Sequence, residues 1–80
     1  MFTQHAKRRM QQRAISHKDI NALLDWGEEK FERGALIYKG TKKTVSTLIG
    51  TGVPPNEAER IKGKYLVLIN GTVITAAHII

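Results

Sequence analysis

An α+β domain is what this sequence predicts, with two N-terminal helices and a small antiparallel sheet packed by helices. Three observations carry that reading. Phe2, Ala6, Met10 and Ala14 recur every four residues, which makes an apolar stripe on a helix. Ser16 and Asp19 stand at capping-box spacing ahead of Ile20, Leu23 and Leu24. Near the C-terminus, Asn70-Gly71 separates two β-prone runs, the pattern of a type I′ hairpin. Eighty residues hold one domain, residues 1–80, and no second core.

Taken in order, the first helix is expected from Thr3, an N-cap, to about Arg13, burying its stripe. The second begins at Ser16, where Asp19 replaces the more usual Glu and Ile15 and Ile20 occupy the staple positions. Ile20, Leu23 and Leu24 form its buried face with Trp26 near the edge, and Gly27 ends it in a left-handed conformation. The two helices make a short hairpin. After an acidic stretch, Ala35 to Tyr38 reads as the first strand, closed by Lys39 and Gly40.

Val45, Leu48 and Ile49 behind Thr41 suit a short third helix, although their β-branched content also suits a strand. Gly50 to Pro55 is a loop, and Asn56 to Ile61 adds one helical turn before Gly63. The closing hairpin pairs Tyr65–Ile69 with residues 72–79. A two-residue turn sets Ile69 opposite Thr72, Leu68 opposite Val73, Val67 opposite Ile74, Leu66 opposite Thr75 and Tyr65 opposite Ala76. Tyr65, Ile74, Ala76 and His78 then share one side.

Composition narrows the function. There is no cysteine, which removes disulfides, thiolate nucleophiles and cysteine-type zinc sites. Three histidines make a poor metal cage, so no metal and no cofactor is expected. The longest apolar run, Tyr65 to Ile69, is far below the roughly 20 residues of a membrane-spanning helix, and no signal segment follows the basic N-terminus. The expected location is cytoplasmic. Glycine-rich phosphate loops, a Ser, His and acid arrangement, and paired carboxylates outside the Asp25 to Glu32 stretch are missing. Nucleotide and glycoside hydrolysis are thereby disfavoured.

The net charge is +6, which favours a polyanionic partner. It is unevenly spread: residues 1–20 carry +4, residues 21–32 carry −3, and residues 33–64 carry +5. Helical spacing puts His5, Arg9 and Arg13 in one row bordering the apolar stripe. Two guanidiniums suit phosphate oxygens, an imidazole suits acid or base work on a phosphodiester, and Lys7 and Arg8 widen the positive field. The plainer alternative is a solvated basic face, with Arg13 paired to Asp19 or Glu28.

Tyr65 and His78 on the hairpin are the other catalytic candidates, fitting metal-independent RNA cleavage in which arginines stabilise phosphorane charge. A core role is the alternative for Tyr65. The run Lys39, Lys42, Lys43 and the group Arg60, Lys62, Lys64 are further phosphate-binding candidates, against the alternative of solvated loop charges.

With these residues in view, His5-Ala6-x-x-Arg9-Met10-x-x-Arg13-x-Ile15-Ser16, then Asp19-Ile20 and Gly27-Glu28, resemble domain-of-unknown-function family 4258. Lys62-Gly63-Lys64-Tyr65-Leu66-Val67, Gly71-Thr72-Val73-Ile74-Thr75 and His78 resemble its closing hairpin, so the likeness spans essentially the whole chain. Ala14 stands where many members have Gly, which bears on the turn between the helices. The family is bacterial or phage-borne, and its layout is similar to plasmid toxins of the RelE and ParE kind. The resemblance implies an α+β fold and leaves open ribonuclease or other toxin-like activity, since such toxins include gyrase inhibitors as well as ribonucleases; a toxin reading also implies an acidic antitoxin-like partner.

Two functions follow as expectations. The first is RNA binding or metal-independent endoribonuclease action through His5, Arg9, Tyr65 and His78, with Lys7, Arg8, Arg13, Lys42, Lys43, Lys62 and Lys64 on the phosphates. The second is a non-catalytic interaction or homodimerisation module that binds an acidic protein or another copy of itself.

Overall fold

The computed structural model describes residues 2–12 and 15–78. Within them the chain runs α1 (Gln4–Gln12), α2 (His17–Trp26), β1 (Glu28–Glu32), β2 (Ala35–Lys39), α3 (Lys42–Gly50), α4 (Pro55–Glu59), β3 (Lys64–Ile69) and β4 (Thr72–His78). The strands form one antiparallel sheet in the order β1-β2-β3-β4. No described helix is long and apolar enough to cross a membrane. The expectations for Arg13, for Ala14 in the stripe and for the strand end at Ile79 lie outside the described residues.

Thr3 starts α1 by the chemistry expected of it. Its hydroxyl accepts the Ala6 N–H at 3.1 Å, satisfying one of the free donors of the first turn. The same hydroxyl donates to the Ile74 carbonyl, and the Thr3 N–H donates to Val73 O at 3.1 Å. Phe2 makes a parallel bridge to Val73, so α1 is tied to β4 before it begins. Ala6 and Met10 of the apolar stripe are buried, and Phe2 packs against the same core.

At α2 the capping box is complete: Ser16 Oγ accepts from Asp19 N at 3.2 Å, and Asp19 Oδ2 accepts from Ser16 N at 3.1 Å. Ile15, Ile20 and Leu23 are buried, but Leu24 is exposed, because the covered arc of this helix is narrower than its apolar residues suggest. Gly27 is extended, with φ −66° and ψ 152°, not left-handed. The next residue already belongs to β1, and a Cβ at Gly27 would crowd the carbonyl of Leu23, so the need for glycine here is close approach.

The acidic stretch is a strand. All five residues of β1 are exposed, which is why no alternation marks it in the sequence. A two-residue turn at Arg33 and Gly34, with φ 50° and 79°, joins it to β2. Tyr38 donates its hydroxyl proton to Glu29 Oε2 at 2.7 Å across that pair, which pushes the phenol's ionisation above its ordinary range.

The segment between β2 and β3 is helical. Thr41 caps α3, and Thr41 and Thr44 exchange backbone and side-chain bonds at 3.2 and 3.3 Å. Val45 and Leu48 are buried while Ile49 is exposed on the outer side. Helix α4 begins at Pro55, whose missing N–H costs nothing in a first turn. The core joins Met10, Ile15, Ile20, Leu23, Val45, Leu48, Ala58 and Ile61 of the helical layer to Leu66 and Ala76 of the sheet.

The closing hairpin turns at Asn70 and Gly71, φ 50° and 77°, with Ile69 opposite Thr72 and Leu68 opposite Val73 as the turn demands. A β-bulge then shifts the register: Val67 pairs with Thr75, Leu66 with Ala76, Tyr65 with Ala77 and Lys64 with His78. This corrects the three pairs expected beyond the bulge. Plain alternation would place Val73 and Ala76 on opposite faces. The extra residue puts both under the helices, at 3% and 0% exposure. Val73 and Ile74 are also the residues whose carbonyls hold Thr3.

A candidate polyanion interface

The bulge separates the two proposed hairpin catalysts. His78 lies opposite Lys64, on the helix side, whereas Tyr65 lies opposite Ala77 and Lys39 on the uncovered face. The expected common side of Tyr65, Ala76 and His78 is therefore replaced by two opposite faces. His78 is exposed at the strand end, its Nε2 3.2 Å from the Lys62 carbonyl oxygen. Tyr65 is partly exposed beside the exposed Lys39, so that an aromatic ring and an ammonium neighbour each other on an open sheet surface.

The first helix presents its charge outward. Packing of α1 on β4 turns Ala6 and Met10 inward, which leaves His5, Lys7 and Arg8 exposed and Arg9 partly exposed. Arg13, the last member of the row, lies outside the described residues. Helix α1 packs on β4, the strand that ends in His78, but among the described residues no hydrogen bond joins His5 or Arg9 to Tyr65 or His78.

A second basic group forms where the start of α3 meets the approach to β3. Lys42 and Lys43 are exposed in the first turn of α3, and Lys62 is exposed just before β3. Lys42 and Lys62 line one shallow depression with Ser46 and Glu59. Residues twenty apart in sequence thus share a surface, and Ser46 enters it because it lies one helical turn after Lys42. That spacing was the only sign of Ser46 in the sequence.

Lys64 sits elsewhere. Its side chain is 8% exposed and its Nζ lies 3.0 Å from Asp19 Oδ2, so the cation is consumed inside the fold. This counts against the expected phosphate contact, because a buried ammonium with a carboxylate partner is not offered to solvent. Burial pushes the Asp19 carboxyl up, but the Ser16 N–H, Lys64 and the charge of Arg60 outweigh it and hold the group below the ordinary carboxylate range.

The remaining described ion pairs are Lys18 with Glu57 at 3.1 Å and Lys30 with Glu32 at 3.6 Å. Among the described residues, Lys7, Arg8, Arg9, Lys42, Lys43 and Lys62 make no ion pair. No group of three or more described His, Asp or Glu side chains converges in a way that would hold a metal ion. Chemically, the arrangement offers guanidinium and ammonium donors to an extended anion.

A family of domains whose description is Domain of unknown function (DUF4258) matches residues 2–72. No curated protein and no solved structure matches the chain significantly.

Proposed function

This chain belongs to the DUF4258 family, and on its exposed charge we propose that it binds the phosphate backbone of single-stranded RNA without cutting it. One observation carries the reading: nine described Lys and Arg side chains make no ion pair with a described carboxylate, six of them being Lys7, Arg8 and Arg9 of α1, Lys42 and Lys43 of α3 and Lys62 before β3, while Lys18, Lys30 and Lys64 are paired. Each phosphate that such a cation neutralises releases counterions condensed on the nucleic acid, which drives binding and makes it salt-dependent. On the opposite, uncovered face of the sheet, Tyr65 beside Lys39 offers a ring for an unpaired base, which a flexible single strand reaches by passing the sheet edge and a stiff duplex does not.

Cleavage of the toxin type is the rival. It needs an acid and a base on one phosphodiester, and the opposite faces of Tyr65 and His78 argue against that pair. Fluorescence anisotropy with a labelled single-stranded RNA between about 50 and 200 mM salt tests the binding reading. With four to six phosphate contacts, log K falls against log salt with a slope of roughly −3 to −4. Substituting Arg8 and Arg9 together by Ala, or Lys42 and Lys62 together, flattens the slope by about 1.4. A salt-independent or absent signal dismisses the reading. RNA cut by the native chain but left whole by His5→Ala or His78→Ala would establish the enzyme instead.

A further inference from the structure

One edge of the sheet is closed and the other is bare. Phe2 and α1 flank β4, whereas no described strand lies outside β1. The pair Glu32 and Ala35 closes the two-residue turn, and in such a hairpin the closing pair exchanges both backbone bonds. Alternation then aims the N–H and C=O of Glu28, Lys30 and Glu32 at β2, and those of Glu29 and Phe31 at solvent. Phe31 is also 71% exposed, an unusual exposure for an aromatic side chain on a strand.

We propose that β1 pairs antiparallel with β1 of a second copy of this chain, joining two sheets around a twofold axis at Phe31. Only residues whose backbone groups face outward can exchange bonds, so the register must match Glu29 and Phe31 among themselves, Arg33 lying past the strand in the turn at φ 50°. Centring on Lys30 sets Lys against Lys and Glu28 against Glu32, centring on Glu32 sets Glu against Glu, and centring on Glu29 also opposes Glu to Glu at the axis, although Glu28 then meets Lys30 twice. Centring on Phe31 sets the two rings side by side and Lys30 against Glu32 twice, with no like charges opposed. It is the self-complementary choice. An edge charged with one sign keeps copies apart, but the mixed order here opposes like charges in each neighbouring register and in this one opposes none.

The proposal goes beyond RNA binding and does not depend on it. A five-residue strand buries less than about 1,200 Å², so the dimer is weak and concentration-dependent. Sedimentation equilibrium of the whole chain at about 0.15 M salt, where charges more than about 8 Å apart are screened, should show dimer between about 0.1 and 1 mM. Lys30→Glu should raise the dissociation constant about tenfold or more, since both ion pairs become repulsions. Adding Glu32→Lys to it should restore the native value, because the swapped charges meet again. All β1 side chains are exposed, so circular dichroism should show the fold unchanged, and Phe31→Gln, which touches no charge, should also weaken the dimer. A monomer at about 1 mM, a Lys30→Glu variant that dimerises like the native chain, or a double variant that stays monomeric would each overturn the proposal.

Discussion

Replacing Lys64 by Met would leave the Asp19 carboxylate alone in the core. The two charged atoms lie 3.0 Å apart on side chains that are 8% and 11% exposed. At an effective dielectric of about 20, attraction at that distance is roughly 5 kcal/mol, and desolvation of the two ions cancels most of it. The intact pair therefore adds little net stability. Losing one partner is different, because the other keeps its desolvation cost, and such changes cost about 3 to 5 kcal/mol. Asp19 still accepts the Ser16 N–H, which favours the lower figure of about 3 kcal/mol. For a domain of this size that is a large share of a stability near the low end of about 5 to 15 kcal/mol. At about 4 to 8 °C per kcal/mol, the melting temperature falls by roughly 12 to 24 °C.

The assay is a double-mutant cycle by urea and thermal unfolding, with Asp19→Asn as the second change. Asn keeps a cap on α2 while removing the charge, so the double variant should lose clearly less than the two singles together. A Lys64→Met cost below about 1 kcal/mol would refute the reasoning, as would singles that add to within about 0.5 kcal/mol.

Acid should act through the same group. Because the folded carboxyl of Asp19 lies below its ordinary value, the unfolded chain takes up the proton first, so this contribution is complete above about pH 4 and fades as the pH falls further. Urea unfolding from pH 7 to 2 should show that loss, and Asp19→Asn should reduce it; an unchanged acid limb would count against the assignment. Gly40→Ala should destabilise the fold by about 1 to 3 kcal/mol, since a Cβ there runs into the backbone carbonyl of Ile61 while Gly40 is held in place by donating to the Lys64 carbonyl and accepting from the Gly63 N–H. Chemical denaturation reads the change, and a neutral result would mean that the turn shifts freely.

Wherever a local device marks a boundary, the residues announce it. Thr3, Ser16 with Asp19, and Thr41 each satisfy free donors of the helix that follows, and Asn70-Gly71 adopts the left-handed pair its hairpin needs. The strand β1 escaped because its residues face solvent and follow no apolar period, leaving only Gly34, two residues into a turn, as a sign. Leu24 was assigned to the buried face of α2 because its type and spacing fit, yet the packed arc of that helix stops short of it, and Ile49 of α3 is exposed as well. The basic surface was legible as composition and helical spacing, but not as geography: Lys42 and Lys62 join, while Lys64 turns inward.

From its residues alone this chain determines where helices start, where the last turn lies, and that positive charge must exceed negative, because caps, turns and net charge act within a few residues of chain. Which face of β4 carries which side chain was decided only in three dimensions. A single bulged residue, placed where Phe2 and Thr3 hold Val73 and Ile74, reverses the alternation beyond it, parts Tyr65 from His78 and sets Lys64 against His78, within reach of Asp19 beneath the helices. Pairing between strands is a long-range choice, made by whatever arrangement buries the most apolar surface without stranding a charge.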